Sequence, residues 1–245
     1  LETVKSNMEY IGVSDCKMQE GSMRCDVNIS VKPEGSEKFG TRTEIKNMNS
    51  ITFMTKAIDY EYERQIDLVE SGEEVIQQTL RYCEATNSTE SMRSKEDAQD
   101  YRYFRDPDLV EIVLTEEEVE KIKESLPEMP GDRLKRYVSE LGIPEKDAMH
   151  LTKYKNVSDF FEKACEGLKS AKTVSNLIVG EIFRSIQTES EKEKFGILIT
   201  PAQLGELVKL TEENKINMNL AKKTLSKMLE TGKDVKEFIS ENDMK

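Results

Sequence analysis

Residues 19–31, QEGSMRCDVNISV, and residues 40–50, GTRTEIKNMNS, decide how the first half of this chain folds. In the first stretch Cys25, Val27, Ile29 and Val31 alternate with Arg24, Asp26, Asn28 and Ser30. A period of two marks a strand with one buried face. In the second stretch Thr43 and Ile45 share one face, and Arg42, Glu44 and Lys46 share the other. Between them KPEGSEKF supplies Pro33 and Gly35, which are turn residues. The two strands therefore read as an antiparallel hairpin. Folded about Gly35, it sets Asp26 opposite Glu44, Arg24 opposite Lys46 and Asn28 opposite Arg42. Only even registers keep apolar facing apolar, because a one-residue slip turns a strand over.

Two acids facing each other across a ladder are unfavourable by a few tenths to roughly 1 kcal/mol. A divalent cation between Asp26 and Glu44 removes that cost. Mg²⁺ suits such a place, since it is held by one or two carboxylates together with substrate phosphates. The neighbouring cations can meet those phosphates. The other reading of the same residues is a solvated face whose charges neutralise one another diagonally.

Outward from the hairpin, residues 1–10 read as the end of a helix and 49–71 as a second helix. In the latter Ile51, Met54, Ile58, Tyr62, Ile66 and Val69 recur at helical spacing, and Gly72 stands where the helix would stop. Residues 74–83 and 90–95 suggest another hairpin. Folded about Asn87, it opposes Arg81 to Arg93 and Thr79 to Lys95. Opposed arginines make an anion an attractive partner; pairing with Glu84, Glu90 or Glu96 is the competing reading. DYRYFRDPDL at 100–109 reads as a loop. From about residue 115 the pattern is helical, opening with Thr115 and Glu118 as a capping box. Further helices are expected at 132–141, from Pro144, and at 158–167, 172–187, 200–213 and 219–230. Thr200-Pro201 is a helix start, and Leu204, Leu207 and Leu210 form its apolar stripe. The fold class is α+β: a partial antiparallel-sheet domain with helices over residues 1–126, then an all-helical domain over 127–245.

Composition narrows the function. Charged residues make up 34% of the chain and hydrophobic residues 36%, so a surface-rich globular protein is expected. No apolar run approaches the roughly 18 residues of a membrane span. The cysteines Cys16, Cys25, Cys83 and Cys165 are scattered without CxxC spacing. This argues against a zinc site or disulfide framework and fits a reducing cytoplasm. The lone His150 cannot build a histidine metal cluster. The net charge of −12 runs against nucleic-acid binding in general, so any RNA contact must be local or shape-based. There is no P-loop, no GxGxxG and no Ser-Lys or Cys-His arrangement for amide cleavage.

The order of several long motifs resembles the B subunit of the tRNA-dependent amidotransferases. LETVKSNMEYIGVSDCKMQEGSMRCDVNISV is followed by FGTRTEIKNMNS, AIDYEYERQIDLVESGEEV, SMRSKE and DYRYFRDPDL, and later by LTPAQLGELVKL and AKKTLSKMLETGKD. The resemblance covers essentially the whole chain and implies a ligase of translation. In that family, the B subunit uses ATP and Mg²⁺ to phosphorylate the side-chain carboxylate of misacylated Glu-tRNA(Gln) or Asp-tRNA(Asn). Ammonia then comes from the glutaminase, which is the A subunit, and a small C subunit makes the complex a heterotrimer. On this resemblance Asp26 and Glu44 are the expected metal-holding and catalytic carboxylates, with Glu20 a further candidate ligand. Arg24, Arg42 and Lys46 are expected to neutralise phosphate, as are Arg81 and Arg93. The helical half is expected to bind the body of the tRNA. No DNA or membrane contact is expected.

The resemblance also implies that this is an interior piece, the second half of a cradle domain plus the helical domain. The family's upstream Glu/His metal-binding segment and a C-terminal tail domain then lie outside it, and the piece by itself is expected to be inactive. Where related sequences carry Pro, this chain has Arg105, which frees a backbone donor in the 100–109 loop. Two other function classes share the same residues. One is a metal-dependent phosphohydrolase, and the other is a non-catalytic tRNA-binding scaffold.

Overall fold

The computed structural model describes residues 1–93, 104–186 and 188–239, and at Arg93 the backbone only. These fall into two compact units, one of residues 1–5 and 13–121 and the other of residues 6–12 and 122–245. The protein is α+β, as its sequence patterns require.

The first unit is built on a four-stranded sheet. Strands β1 (Val27–Ile29), β2 (Thr43–Lys46), β3 (Thr79–Cys83) and β4 (Ser88–Arg93) lie in the order β1-β2-β3-β4. Both expected hairpins are present and antiparallel, and they join through a parallel pairing of β2 with β3. The parallel pairing follows from the crossover between them, the 20-residue helix α2 (Ile51–Glu70). Ser50 starts α2 with extended backbone and an Oγ that accepts from the Phe53 N–H at 3.1 Å. Gly72, at φ 79°, follows its end.

Both registers differ from the expected ones. In the first hairpin Val27 faces Ile45, Asn28 faces Glu44 and Ile29 faces Thr43. Asp26 thus lies level with Lys46 rather than with Glu44, and neither Arg24–Lys46 nor Asn28–Arg42 forms a pair. The shift is two residues, so every side chain keeps its expected face. Electrostatics chooses between the two even registers: the observed one sets an acid beside a cation, and the expected one opposes like charges twice. In the second hairpin Arg81 faces Glu90, and after a bulge Thr79 faces Arg93. The turn occupies residues 84–87 and ends on Asn87 at φ 49°, rather than being centred there. Arg81 therefore does not oppose Arg93. Lys95 and the Arg93 side chain lie outside the described residues.

The buried face of α2 is also not the expected stripe. Met54 is buried, but Ile58, Tyr62 and Val69 are exposed. The face turned inward is Met54, Ala57, Glu61 and Gln65. Ile45, Met48, Met54, Ala57 and Leu80 form the small apolar core, with Met18, Cys25, Val27, Ile29 and Tyr82 packed against it.

The second unit is helical. Helix α1 (Glu2–Ile11) contributes its C-terminal part, where the Tyr10 hydroxyl donates to the Thr152 carbonyl at 2.7 Å. Helix α3 (Glu116–Ser125), of which residues 122–125 belong to this unit, begins with the expected capping box, the Glu118 N–H donating to Thr115 Oγ1 at 3.2 Å. Then come α4 (Pro130–Ser139), α5 (Glu145–Thr152), α6 (Lys155–Ala164) and α7 (Ala171–Leu177). The helix expected over 172–187 widens into a π-helical stretch at Ile178–Ile182 before the short α8 (Phe183–Ser185). Helix α9 (Glu189–Lys194) is not among the expected helices, although Thr188 and Glu191 spell its capping box. Helices α10 (Pro201–Glu212) and α11 (Met218–Thr231) complete the unit. Thr200 caps α10 with Gln203, and Leu204 and Leu207 are fully buried, as expected. Tyr137, Phe161, Leu177, Ile178 and Leu225 fill the same core. Among the described residues no helix is long and apolar enough to cross a membrane. All four cysteines are free thiols.

Glu189 ties α9 to the loop before α6. It accepts from Lys153 Nζ at 2.7 Å, Lys192 Nζ at 2.8 Å and the Tyr154 hydroxyl at 2.6 Å. These bonds, the one from Lys153 foremost, hold its carboxyl down at about 2 against an ordinary 4.5. A depressed carboxyl stabilises the fold above its unfolded value, and that contribution disappears as pH falls through the folded one. In thermal melts, Glu189→Gln should lower the midpoint at pH 7, and the gap from wild type should close between pH 4.5 and 2. A gap independent of pH would show that charge plays no part. The side chain is more than half exposed, so the effect is small.

Candidate functional site

The strand alternation places Asp26, Glu44 and Lys46 on the polar face of the sheet, each about one-third exposed. Lys46 Nζ sits 3.2 Å from Glu44 Oε1 and 3.8 Å from Asp26 Oδ2. The two acids thus share a cation, and that cation is the chain's own ammonium group. Across the parallel ladder Lys46 is level with Arg81, and Arg81 with Glu90. Asp26, Lys46, Arg81 and Glu90 therefore form a row over all four strands, with two cations side by side and an acid at each end. The Arg81 guanidinium donates to Glu90 Oε2 from Nη2 at 2.8 Å and Nε at 3.2 Å. Of the readings of Arg81, the one with Glu90 as partner is the arrangement present. The Glu90 hydrogen bond raises the Arg81 pKa further.

Beside this row lies a cleft of about 380 Å³, lined by Glu20, Arg24, Asp26, Asn47 and Asn49 among others. Glu20 ends a 3₁₀ turn (Met18–Glu20) that closes on Gly21 at φ 81°. Its carboxylate pairs with Lys17 at 3.3 Å and is exposed. Asn47, at φ 60°, turns the chain sharply out of β2; asparagine tolerates this left-handed conformation better than most residues. The structure thus brings Glu20, Arg24 and Asp26 to one cleft and Asp26, Glu44 and Lys46 to one ion-pair cluster. Arg42 precedes β2, is exposed and does not line the cleft. In the 100–109 segment, residues 100–103 lie outside the described residues. Arg105 is exposed and pairs with Glu111 at 3.4 Å.

Among the described residues no three His, Cys, Asp or Glu side chains converge to hold a metal ion. Asp26 and Glu44 supply two hard oxygen ligands on an accessible face, which fits part of a Mg²⁺ shell.

Residues 1–120 match the family described as GatB/GatE catalytic domain, and residues 159–245 match the GatB domain. The chain belongs to the GatB family. The B subunit of the aspartyl/glutamyl-tRNA(Asn/Gln) amidotransferase of Bacillus licheniformis is 46% identical over 244 residues, covering all of this chain and 51% of that protein. A corresponding B subunit of Clostridium acetobutylicum is also 46% identical with the same coverage. That of Caldicellulosiruptor saccharolyticus is 44% identical over 246 residues. The chain spans about half the length of the curated relatives it matches. The charged row, the cleft and α2 all fall within the GatB/GatE catalytic-domain match.

Sequence reasoning missed a buried polar cluster behind this face. Glu61 and Gln65 of α2 and Thr43 of β2 are fully buried. Thr43 Oγ1 donates to Glu61 Oε1 at 2.9 Å and accepts from Gln65 Nε2 at 2.9 Å. Thr89 Oγ1 of β4 donates to Glu61 Oε2 at 2.9 Å, and Arg64 Nη2 donates to Oε1 at 2.6 Å. Gln65 also reaches the chain two residues beyond β1, where its Oε1 accepts from the Val31 N–H at 3.1 Å. Burial alone would raise the Glu61 pKa. The bonds from Arg64, Gln65 and Thr89 outweigh it and hold the carboxyl below its ordinary value. In sequence, Glu61 and Gln65 look like solvent-facing polar residues, because acids and amides are seldom fully buried. A four-residue spacing in step with Met54 and Ala57 is the only trace of their true direction.

Proposed function

We propose that this chain is part of the catalytic subunit of a tRNA-dependent amidotransferase. In this reading ATP activates the side-chain carboxylate of misacylated Glu-tRNA(Gln) or Asp-tRNA(Asn), and ammonia from a glutaminase partner displaces the phosphate. The complex includes that glutaminase and a small third protein, and it works in the cytoplasm. The observation that carries the reading is the row Asp26–Lys46–Arg81–Glu90, which lies in a catalytic-domain match and sets two cations side by side between carboxylates.

The chemistry asks for this arrangement. A carboxylate oxygen is a poor leaving group, so direct attack by ammonia fails. Phosphorylation remedies that, and phosphoryl transfer needs mainly positioning and neutralisation of charge. Mg²⁺, held in part by Asp26 and Glu44, would supply charge neutralisation at the transferring phosphoryl group. Lys46 balances the two acids at rest, and together with Arg81 it offers cationic donors to phosphate oxygens on the same face. Arg24 adds a cation at the mouth of the cleft, and Glu20 a further oxygen ligand. The helical unit binds the body of the tRNA, away from the reactive end.

Isotope transfer tests this. The complete complex is given ATP, ammonia and misacylated tRNA in which both side-chain carboxylate oxygens are ¹⁸O. If the carboxylate attacks the γ-phosphorus and ammonia then expels phosphate, one ¹⁸O appears in inorganic phosphate for each amide formed. Unlabelled phosphate, released at the same rate without tRNA, would overturn the reading in favour of a phosphohydrolase.

A further inference from the structure

We infer that Glu61 and Gln65 are positioning residues for the charged face, acting through strands β1, β2 and β4; the inference rests on the function proposed above. The two side chains leave one helix and reach three of the four strands. Glu61 accepts hydroxyl hydrogen bonds from Thr43 on β2 and Thr89 on β4, two strands separated by β3. Gln65 donates to Thr43 and to the Ile29 carbonyl at 3.4 Å, and accepts from the Val31 N–H. Thr43 is the residue just before Glu44, so it points to the opposite face of the same strand. Two bonds on its hydroxyl fix the rotation of β2 about its own axis. That rotation sets where Glu44 and Lys46 point. The grip on Ile29 and Val31 does the same for the strand that follows Asp26, and the bond to Thr89 does so for the neighbour of Glu90.

Stability does not account for this cluster. Replacing a buried ion pair and its hydrogen-bonded neighbours with well-packed apolar residues is often neutral or stabilising. A small apolar core would be served as well by leucine and valine at these places. A directional network resists rotation and sliding of strands, which apolar contacts do not. Placement of charged groups for phosphoryl transfer requires that resistance, since a displacement of about 1 Å can cost 100-fold in rate.

The test uses the full-length protein in complex with its partners. Thr43→Val removes the hydroxyl at nearly constant shape, and Thr43→Ser keeps it. Thr43→Val is expected to lower kcat for ammonia-dependent amidation by roughly 10- to 100-fold. KM for tRNA should change little, and Mn²⁺ binding, followed by electron paramagnetic resonance, should weaken. Thr43→Ser should restore both. A folded Thr43→Val complex with wild-type kcat and Mn²⁺ affinity overturns the inference, as do equal losses in Val and Ser. If Thr43→Val fails to assemble, the pair Thr89→Val and Thr89→Ser decides the question from the half-exposed end of the cluster. Asp26→Asn, measured alongside, separates the two levels. Full activity there rejects the placement of the phosphoryl-transfer site on this face, whereas loss there with Thr43→Val unaffected rejects only the positioning role.

Discussion

Amidation of misacylated tRNA by the complete complex should fall by at least about 100- to 1,000-fold when Asp26→Asn or Glu44→Gln is introduced, the size typical of losing one electrostatic group at a charge-developing centre. Glutamine hydrolysis should continue, because neither acid belongs to an amide-cleaving arrangement. Both substitutions keep the shape of the side chain and remove its charge. Each acid lies within 4 Å of Lys46 Nζ, so the loss of one leaves the ammonium paired with the other. The surface pairs themselves are worth at most about 1 kcal/mol, so folding should be nearly unaffected. The rate of ATP consumption dependent on misacylated tRNA gives the readout. Near-normal rates in both variants would mean that the metal and phosphate are handled elsewhere.

The largest expected effect on stability lies in the helical unit, at Phe161→Ala. Phe161 is fully buried, and its ring centroid is 4.9 Å from that of Tyr137. Truncating a buried phenylalanine typically costs about 3–5 kcal/mol, from lost burial and the cavity left behind. For a protein of this size each kcal/mol lowers the melting midpoint by roughly 2–4 °C, so a fall of about 10 °C is expected. Phe161→Leu should lose much less, because most of the volume is kept. Calorimetry on the full-length protein distinguishes these outcomes. A shift for Phe161→Ala as small as that for Phe161→Leu would show that the surrounding helices close the cavity.

Several features were legible in the chain itself because each depends on local periodicity or capping. The alternation from Cys25 to Val31 and from Thr43 to Lys46 put Asp26, Glu44 and Lys46 on one face, and that face assignment is independent of register. Thr115 and Thr200, each with a partner three residues on, located the starts of α3 and α10, since a cap is satisfied by its own helix. The ordered motifs sufficed for the family. What the local pattern cannot decide is any choice between arrangements of equal periodicity. Registers two residues apart bury the same side chains, so it took the cross-strand pairing of Asp26 with Lys46 to select one. The parallel join of β2 to β3, which places Lys46 beside Arg81, depends on how α2 packs back on the sheet. The direction of Glu61 and Gln65 is the clearest case. Sequence pattern ranks a glutamate as exposed because burying its charge is costly; Arg64, one turn on in α2 itself, offsets part of that cost, and the arrival of Thr43 and Thr89 from two separate strands removes the rest. Those strand partners exist only once the tertiary structure has formed, so the polar cluster that holds the charged face in place had to come from the fold.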